Sequence, residues 1–186
     1  MIDNKKFKNK YRIKSSRLQT WDYRWKGSYF ITICTHNKNQ YFGKISDGKM
    51  LLSPTGVLAD VFWYEIKNHT LNIKLGEYVV MPNHVHGILL LDKDTNNDSI
   101  SLNNVKQNEK MESISPKKGS ISAVIRSYKS AVSKHAKRLG FEFSWQSRFY
   151  DHIIRNEESY RQIEEYIQTN PKKWENDKFY VATRHM

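Results

Sequence analysis

Two periodicities divide the chain. Ser28–Thr35 contains Tyr-Phe-Ile-Thr-Ile-Cys-Thr, whose β-branched and aromatic content predicts a strand. Asn37–Gln40 reads as a turn, Tyr41–Ile45 as a short strand, and Asp47-Gly48 as a hairpin turn leading into Met50–Leu52. Ser53-Pro54 supplies an N-cap followed by proline at the first helical position. Val57, Leu58, Val61, Phe62 and Ile66 then recur at helical spacing, predicting an amphipathic helix to about His69, whose imidazole suits the helix end. Glu77–Met81 and His84–Leu91 read as two strands joined by Pro82-Asn83. A second helix starts near Ser120, with Ile121, Val124, Ile125, Tyr128, Val132 and Leu139 as its apolar stripe, and stops at Gly140. Trp145–Arg155 reads as extended. Asn156 caps a third helix with Glu157 and Glu158 in its first turn, and Pro171 ends it after Asn170. The order predicts an α+β sandwich, helices packed on a mainly antiparallel sheet.

Between these elements lies a different composition. Residues 92–119 are dominated by Asp, Asn, Ser, Lys and Gln and read as a flexible insertion within one domain. Residues 1–27 are basic and aromatic without a period and read as an arm, residues 28–174 as the domain, and 175–186 as a tail. The longest apolar stretch, Ile88–Leu91, is far too short to span a bilayer, and the N-terminus has no apolar signal core. With one cysteine, Cys34, in an apolar run where core packing is the simplest role, these features fit a cytoplasmic protein without a membrane partner.

Charge narrows the partner. Lys and Arg number 31 against 19 Asp and Glu, a net +12, which favours a polyanion. Nine of the basic residues fall within residues 1–26, and residues 117–138 hold seven more with no acid. Aromatic residues among them (Tyr11, Trp21, Tyr23, Trp25, Tyr128) point to nucleic acid more than to a membrane surface. Arg12, Lys14 and Arg17 in the arm, Arg126 and Lys129 on the second helix, and Arg148 are the expected DNA contacts.

The chemistry centres on Met81–Leu91. On a strand, His84 and His86 point the same way, with Ile88 and Leu90, and form half of a divalent-metal site. Two histidines simply solvated at a strand end are the plain alternative. On the third helix, Tyr160, Ile163 and Ile167 share a core-facing side, while Tyr166 and Asn170 stack one turn apart. A tyrosine there is also a common packing residue. Brought against the histidines, Asn170 would offer a carbonyl oxygen to the ion and Tyr166 a nucleophile; Glu164 and Glu165 are alternative ligands rotated off that ridge. A metal hydrolase using activated water is a further reading, without a third strong ligand.

Four separated segments resemble one family. Tyr29–Asn37, Met81–Gly87, Trp145-Gln146 with Phe149–His152, and Tyr166–Pro171 are similar, in this order, to the REP-associated tyrosine transposases of the HUH single-tyrosine group. The resemblance implies a ferredoxin-like core and a metal-dependent endonuclease and strand transferase acting on single-stranded DNA hairpins. It implies His84 and His86 as metal ligands completed by Asn170, Tyr166 as the nucleophile that takes a 5′-phosphate, and Mg²⁺ or Mn²⁺ as the ion. Monomer and homodimer both remain open. The alternative is a hairpin-binding protein that does not cut. The 92–119 insertion has no counterpart in the pattern.

Overall fold

The computed structural model describes residues 21–92 and 116–181. The arm with Arg12, Lys14 and Arg17, and nearly all of the predicted insertion, lie outside the described residues. The strands are β1 (Gly27–Cys34), β2 (Gly43–Ser46), β3 (Lys49–Leu52), β4 (Ile73–Met81), β5 (His84–Leu91) and β6 (Tyr150–Ile154). The helices are α1 (Pro54–His69), α2 (Ile121–Arg138) and α3 (Glu157–Thr169). β4, β5, β1 and β6 form, in that order, one wholly antiparallel sheet. β2 and β3 stand apart as a hairpin. Leaving that hairpin aside, each crossover between strands carries a helix, the split β-α-β arrangement of ferredoxin-like folds. The expected α+β sandwich is what forms.

Local chemistry places the elements. Asp47 and Gly48 both take positive φ (50° and 69°), the geometry of a tight hairpin turn. Ser53 caps α1 by accepting from the Gly56 amide at 3.0 Å, ahead of Pro54. Ser120 and Asn156 cap α2 and α3 in the same way. Pro171 does end the α-helix, but the chain continues in a tighter 3₁₀ turn, Asn170–Asn176.

The two faces of the sheet carry separate cores. Tyr29, Ile31, Ile33, Val85 and Leu89 point to one side and pack under α1 and α2 with Trp63, Tyr128 and Val132. Phe30, Ile88 and Ile154 point to the other and meet Tyr160, Ile163 and Ile167 of α3. The buried face of α1 is rotated from the predicted stripe. Gly56, Ala59, Trp63 and Ile66 face inward, whereas Val57 and Val61 remain 46% and 47% exposed. Small side chains win this face because Gly56 lies against the Phe42 carbonyl with no room for a Cβ. On α2, Ala136 is buried where Leu139, past the helix end, is exposed. The segment predicted as extended from Trp145 joins the sheet as β6 only at Tyr150, after a single bridge between Trp145 and Thr35. Among the described residues no helix is long and apolar enough to cross a membrane.

Gly87 is the residue that lets Trp63 lie flat on β5, since a Cβ there would sit 2.3 Å from Trp63 Cζ2. Gly87→Ala is expected to cost about 1–3 kcal/mol, read as a lower urea midpoint at unchanged slope. An unaltered midpoint would contradict this packing.

Candidate functional site

His84 opens β5 immediately after Pro82-Asn83, and His86 follows on the same face. β5 is a central strand. His84 pairs with Cys34 on one side and Met81 on the other, and His86 with Thr32 and Val79. Both imidazoles are fully buried, and their rings lie 4.3 Å apart edge to face. Phe30 stacks on His86 at 5.2 Å. Trp174 and Phe179 flank His84 at 5.9 and 4.6 Å. The solvated-histidine alternative therefore does not describe this chain.

Burial makes these rings neutral. Desolvation, helped by Lys178 and Lys38, takes His84 from its usual 6.5 down to about 3. Desolvation and the neighbouring His84 hold His86 well below its ordinary value. Neutral imidazoles have a lone pair to give. His84 Nδ1 lies 2.8 Å from Asn83 Oδ1, and His86 Nδ1 lies 2.9 Å from Thr32 Oγ1. The other nitrogen of His86, Nε2, faces Tyr166 of α3. His84 Nε2 is buried without a hydrogen-bond partner.

α3 delivers the tyrosine to the same point. Its Ile163–Ile167 side packs on the sheet, and this sets Tyr166 beside the imidazoles. The Tyr166 hydroxyl lies 3.2 Å from His86 Nε2 and donates to Asp177 Oδ2 at 3.0 Å. Burial, then the Asp177 carboxylate, push the phenol well above its usual 10. The side chain stays 36% exposed, so it is accessible from outside. Asn170, the C-cap of α3, is buried; its Nδ2 donates to Asp177 Oδ2 at 2.7 Å, and its Oδ1 has no partner.

Asp177 is the residue that sequence reasoning missed. The stretch 175–186 reads as a tail, yet Asp177–Val181 lies across the site. Asn83 Nδ2 donates to the Phe179 carbonyl at 2.8 Å, and Gln40 Nε2 to that of Val181, also at 2.8 Å. The only hint in the chain is an acid seven residues beyond Asn170 with the anchoring Trp174 between them. Ligand atoms of His84, His86 and Asp177 all fall within 4.8 Å of one another, a grouping able to hold a metal ion. Two neutral imidazole nitrogens, one of them the unpartnered His84 Nε2, with the Asp177 carboxylate and the unpartnered, buried Asn170 Oδ1 are donors of the kind that suit a divalent cation.

Of the remaining expected residues, Glu164 and Glu165 are not part of this grouping. Arg126 and Arg148 are exposed, on α2 and just before β6. Lys129 is half-buried; its ammonium donates to the Gln146 carbonyl and lies over the Trp145 ring. Cys34 is partly buried and burial raises its thiol to about 11, which agrees with a packing role.

No protein-family model matches the chain. An uncharacterized protein of Haemophilus influenzae is 37% identical over 173 residues, covering 90% of this chain and 93% of that protein. The two chains belong to one family. A solved REP-associated tyrosine transposase, bound to a REP hairpin, superposes over 85% of this chain and 74% of that one, at a TM-score of 0.53 and 22% identity. The chain has the REP-associated tyrosine transposase fold.

The two buried rings make stability acid-sensitive. Their folded values lie below the ordinary 6.5, so this stability is complete above that pH and is lost as the pH falls toward 3. The unfolded chain binds the protons that the folded chain refuses. Each ring steepens the loss by up to roughly 1.4 kcal/mol per pH unit below 6.5. Urea unfolding between pH 7 and 5 should show a shallower pH slope for His84→Gln than for the wild type. Equal slopes would mean that His84 titrates normally.

Proposed function

We propose that the protein is a metal-dependent single-stranded DNA endonuclease and strand transferase, a transposase-type enzyme acting at DNA hairpins through Tyr166. The observation that carries this reading is the 3.2 Å approach of the Tyr166 hydroxyl to His86 Nε2, beside an unpaired His84 Nε2. A packing tyrosine has no need of that neighbourhood. His84, His86 and the Asn170 carbonyl, with Asp177 in reach, are the groups to hold the ion, Mg²⁺ or Mn²⁺. When bound, the cation supplies neutralisation of the charge that builds on the phosphate oxygens.

The chain's own groups do the rest. Tyr166 Oη attacks phosphorus, and the bond to the 3′ oxygen breaks as the new Oη–P bond forms. The phenol proton passes to Asp177 Oδ2, already its acceptor at 3.0 Å. The departing 3′ oxygen takes a proton from solvent, which Asp177 returns on ionising again, so that the net transfer is one proton from the phenol to the 3′-hydroxyl. The 5′-phosphotyrosine conserves the broken bond, so a second 3′-hydroxyl can rejoin the strand. Asp177 has a second effect, because its negative charge beside the phenol opposes phenolate formation; the nucleophile needs charge compensation before it reacts.

Hairpin binding is supported by the REP hairpin in the solved transposase of this fold and by the net charge of +12. Arg126 and Arg148, exposed on the described surface, together with Arg12, Lys14 and Arg17, are the phosphate contacts in this reading. Lys129 is better placed to hold Trp145–Gln146 against α2. The working domain includes Asp177–Val181 as well as residues 28–174.

Tyr166→Phe should abolish the covalent protein–DNA species formed with a labelled single-stranded hairpin and Mn²⁺, by more than about 10³-fold, while hairpin affinity stays within about threefold. Adducts persisting in that variant would remove Tyr166 from the role. Hairpin binding without any nick by the wild type would leave the non-cutting alternative.

A further inference from the structure

Asn83 is buried, and every polar atom of its side chain is engaged. Nδ2 donates to the Lys38 carbonyl at 3.1 Å and to the Phe179 carbonyl at 2.8 Å. Oδ1 faces His84 Nδ1 at 2.8 Å. Its backbone carbonyl accepts from the Thr35 amide at 2.9 Å and from Thr35 Oγ1 at 3.0 Å, so the residue cannot shift along the chain. The orientation of the amide follows from these partners. Turned over, it would aim a carbonyl oxygen at two other carbonyl oxygens.

An amide oxygen only accepts. His84 Nδ1 must therefore carry the proton, and Nε2 must hold a bare lone pair. Thr32 imposes no such choice on His86, because a hydroxyl can either give or receive the bond at Nδ1. The two imidazoles are thus unequally constrained, one locked and one adaptable.

We propose that Asn83 is a positioning residue that holds His84 permanently in the metal-binding tautomer. This rests on the metal site in the reading above, though not on DNA cleavage. Ordinary core histidines need no fixed tautomer. What selects the role is the pairing of an acceptor-only atom on one side of the ring with an unpartnered, buried nitrogen on the other.

Long-range ¹H–¹⁵N correlation on chelator-treated, ¹⁵N-histidine-labelled wild type tests this without any variant of Asn83, His84 being assigned by its absence in His84→Gln. The expected spectrum shows His84 protonated at Nδ1 and bare at Nε2 at pH 7. The reverse tautomer, or an averaged signal, overturns the proposal. Mn²⁺ titration followed by electron paramagnetic resonance gives a second measure. Asn83→Ala should weaken Mn²⁺ binding about 10–100-fold. Asn83→Asp keeps an acceptor for Nδ1 but turns a carboxylate oxygen toward two carbonyls. It should melt at lower temperature yet bind Mn²⁺ at least as tightly as the wild type. Affinity falling in step with stability in Asn83→Asp would overturn the assignment, as would unchanged affinity in Asn83→Ala. If Asn83→Ala does not fold, the wild-type tautomer and Asn83→Asp decide. A protein that meets these expectations and never nicks DNA would leave Asn83 in its role and remove only the nuclease reading.

Discussion

The antiparallel pairing of β5 between β1 and β4 is the constraint on which the site depends. Because side chains alternate along a strand, one face of β5 contributes Val85, Leu89 and Leu91 to the large core, and the other contributes His84, His86 and Ile88. A slip of one residue would exchange these roles, driving two imidazoles under α1 and turning the valine and leucines toward α3. The hydrophobic core therefore sets the register of the histidines. The geometry of the histidine pair is a by-product of sheet packing, and Gly87 with Trp63 is one of the contacts that hold it.

α3 obeys the same logic at helical spacing. Ile163 and Ile167 seat it on Phe30, Ile88 and Ile154, while Tyr166 and Asn170 form the adjoining ridge. The ridge then reaches Asp177 from two positions, through the Tyr166 hydroxyl and the Asn170 amide. Neither the strand nor the helix carries the chemistry alone. The helix–sheet contact brings a phenol, an amide and two imidazoles together, and Trp174 and Phe179 close the side next to His84.

What was legible in the sequence follows from this. H-x-H on an apolar strand and Tyr-x-x-x-Asn on a capped helix are local periodicities, and the structure brings both pairs together. The caps at Ser53, Ser120 and Asn156 are likewise local and form as expected. The face of α1 was not legible, because close approach by Gly56 and Ala59 outweighs the hydrophobicity of Val57 and Val61, and closeness is a tertiary property. Asp177 was hidden for another reason. It returns to the site only after a 3₁₀ turn with a kink at Lys173, a path without periodic signature. Asn83 was hidden too, since the way its amide turns is set by two carbonyls, 45 and 96 residues away, that accept from its Nδ2.

Under the proposed function, electrostatics explains why position 170 suits an amide. With both imidazoles neutral, Asp177 is the one anion in the His84, His86, Asp177 grouping. A divalent cation adds two positive charges, and a phosphodiester one negative charge. The sum with Asp177 is zero, the state that a buried site tolerates at least cost. A carboxylate in place of Asn170 would leave a net negative charge just where an anionic strand must approach, binding the ion more tightly but repelling its substrate. An amide lends an oxygen without that charge. The same sum applies to Tyr166, whose phenolate would be a further anion beside Asp177. Burial and Asp177 hold it protonated in the metal-free site, so in the proposed reading the nucleophile is suppressed unless positive charge arrives first, and cation binding is what would commit the centre to reaction.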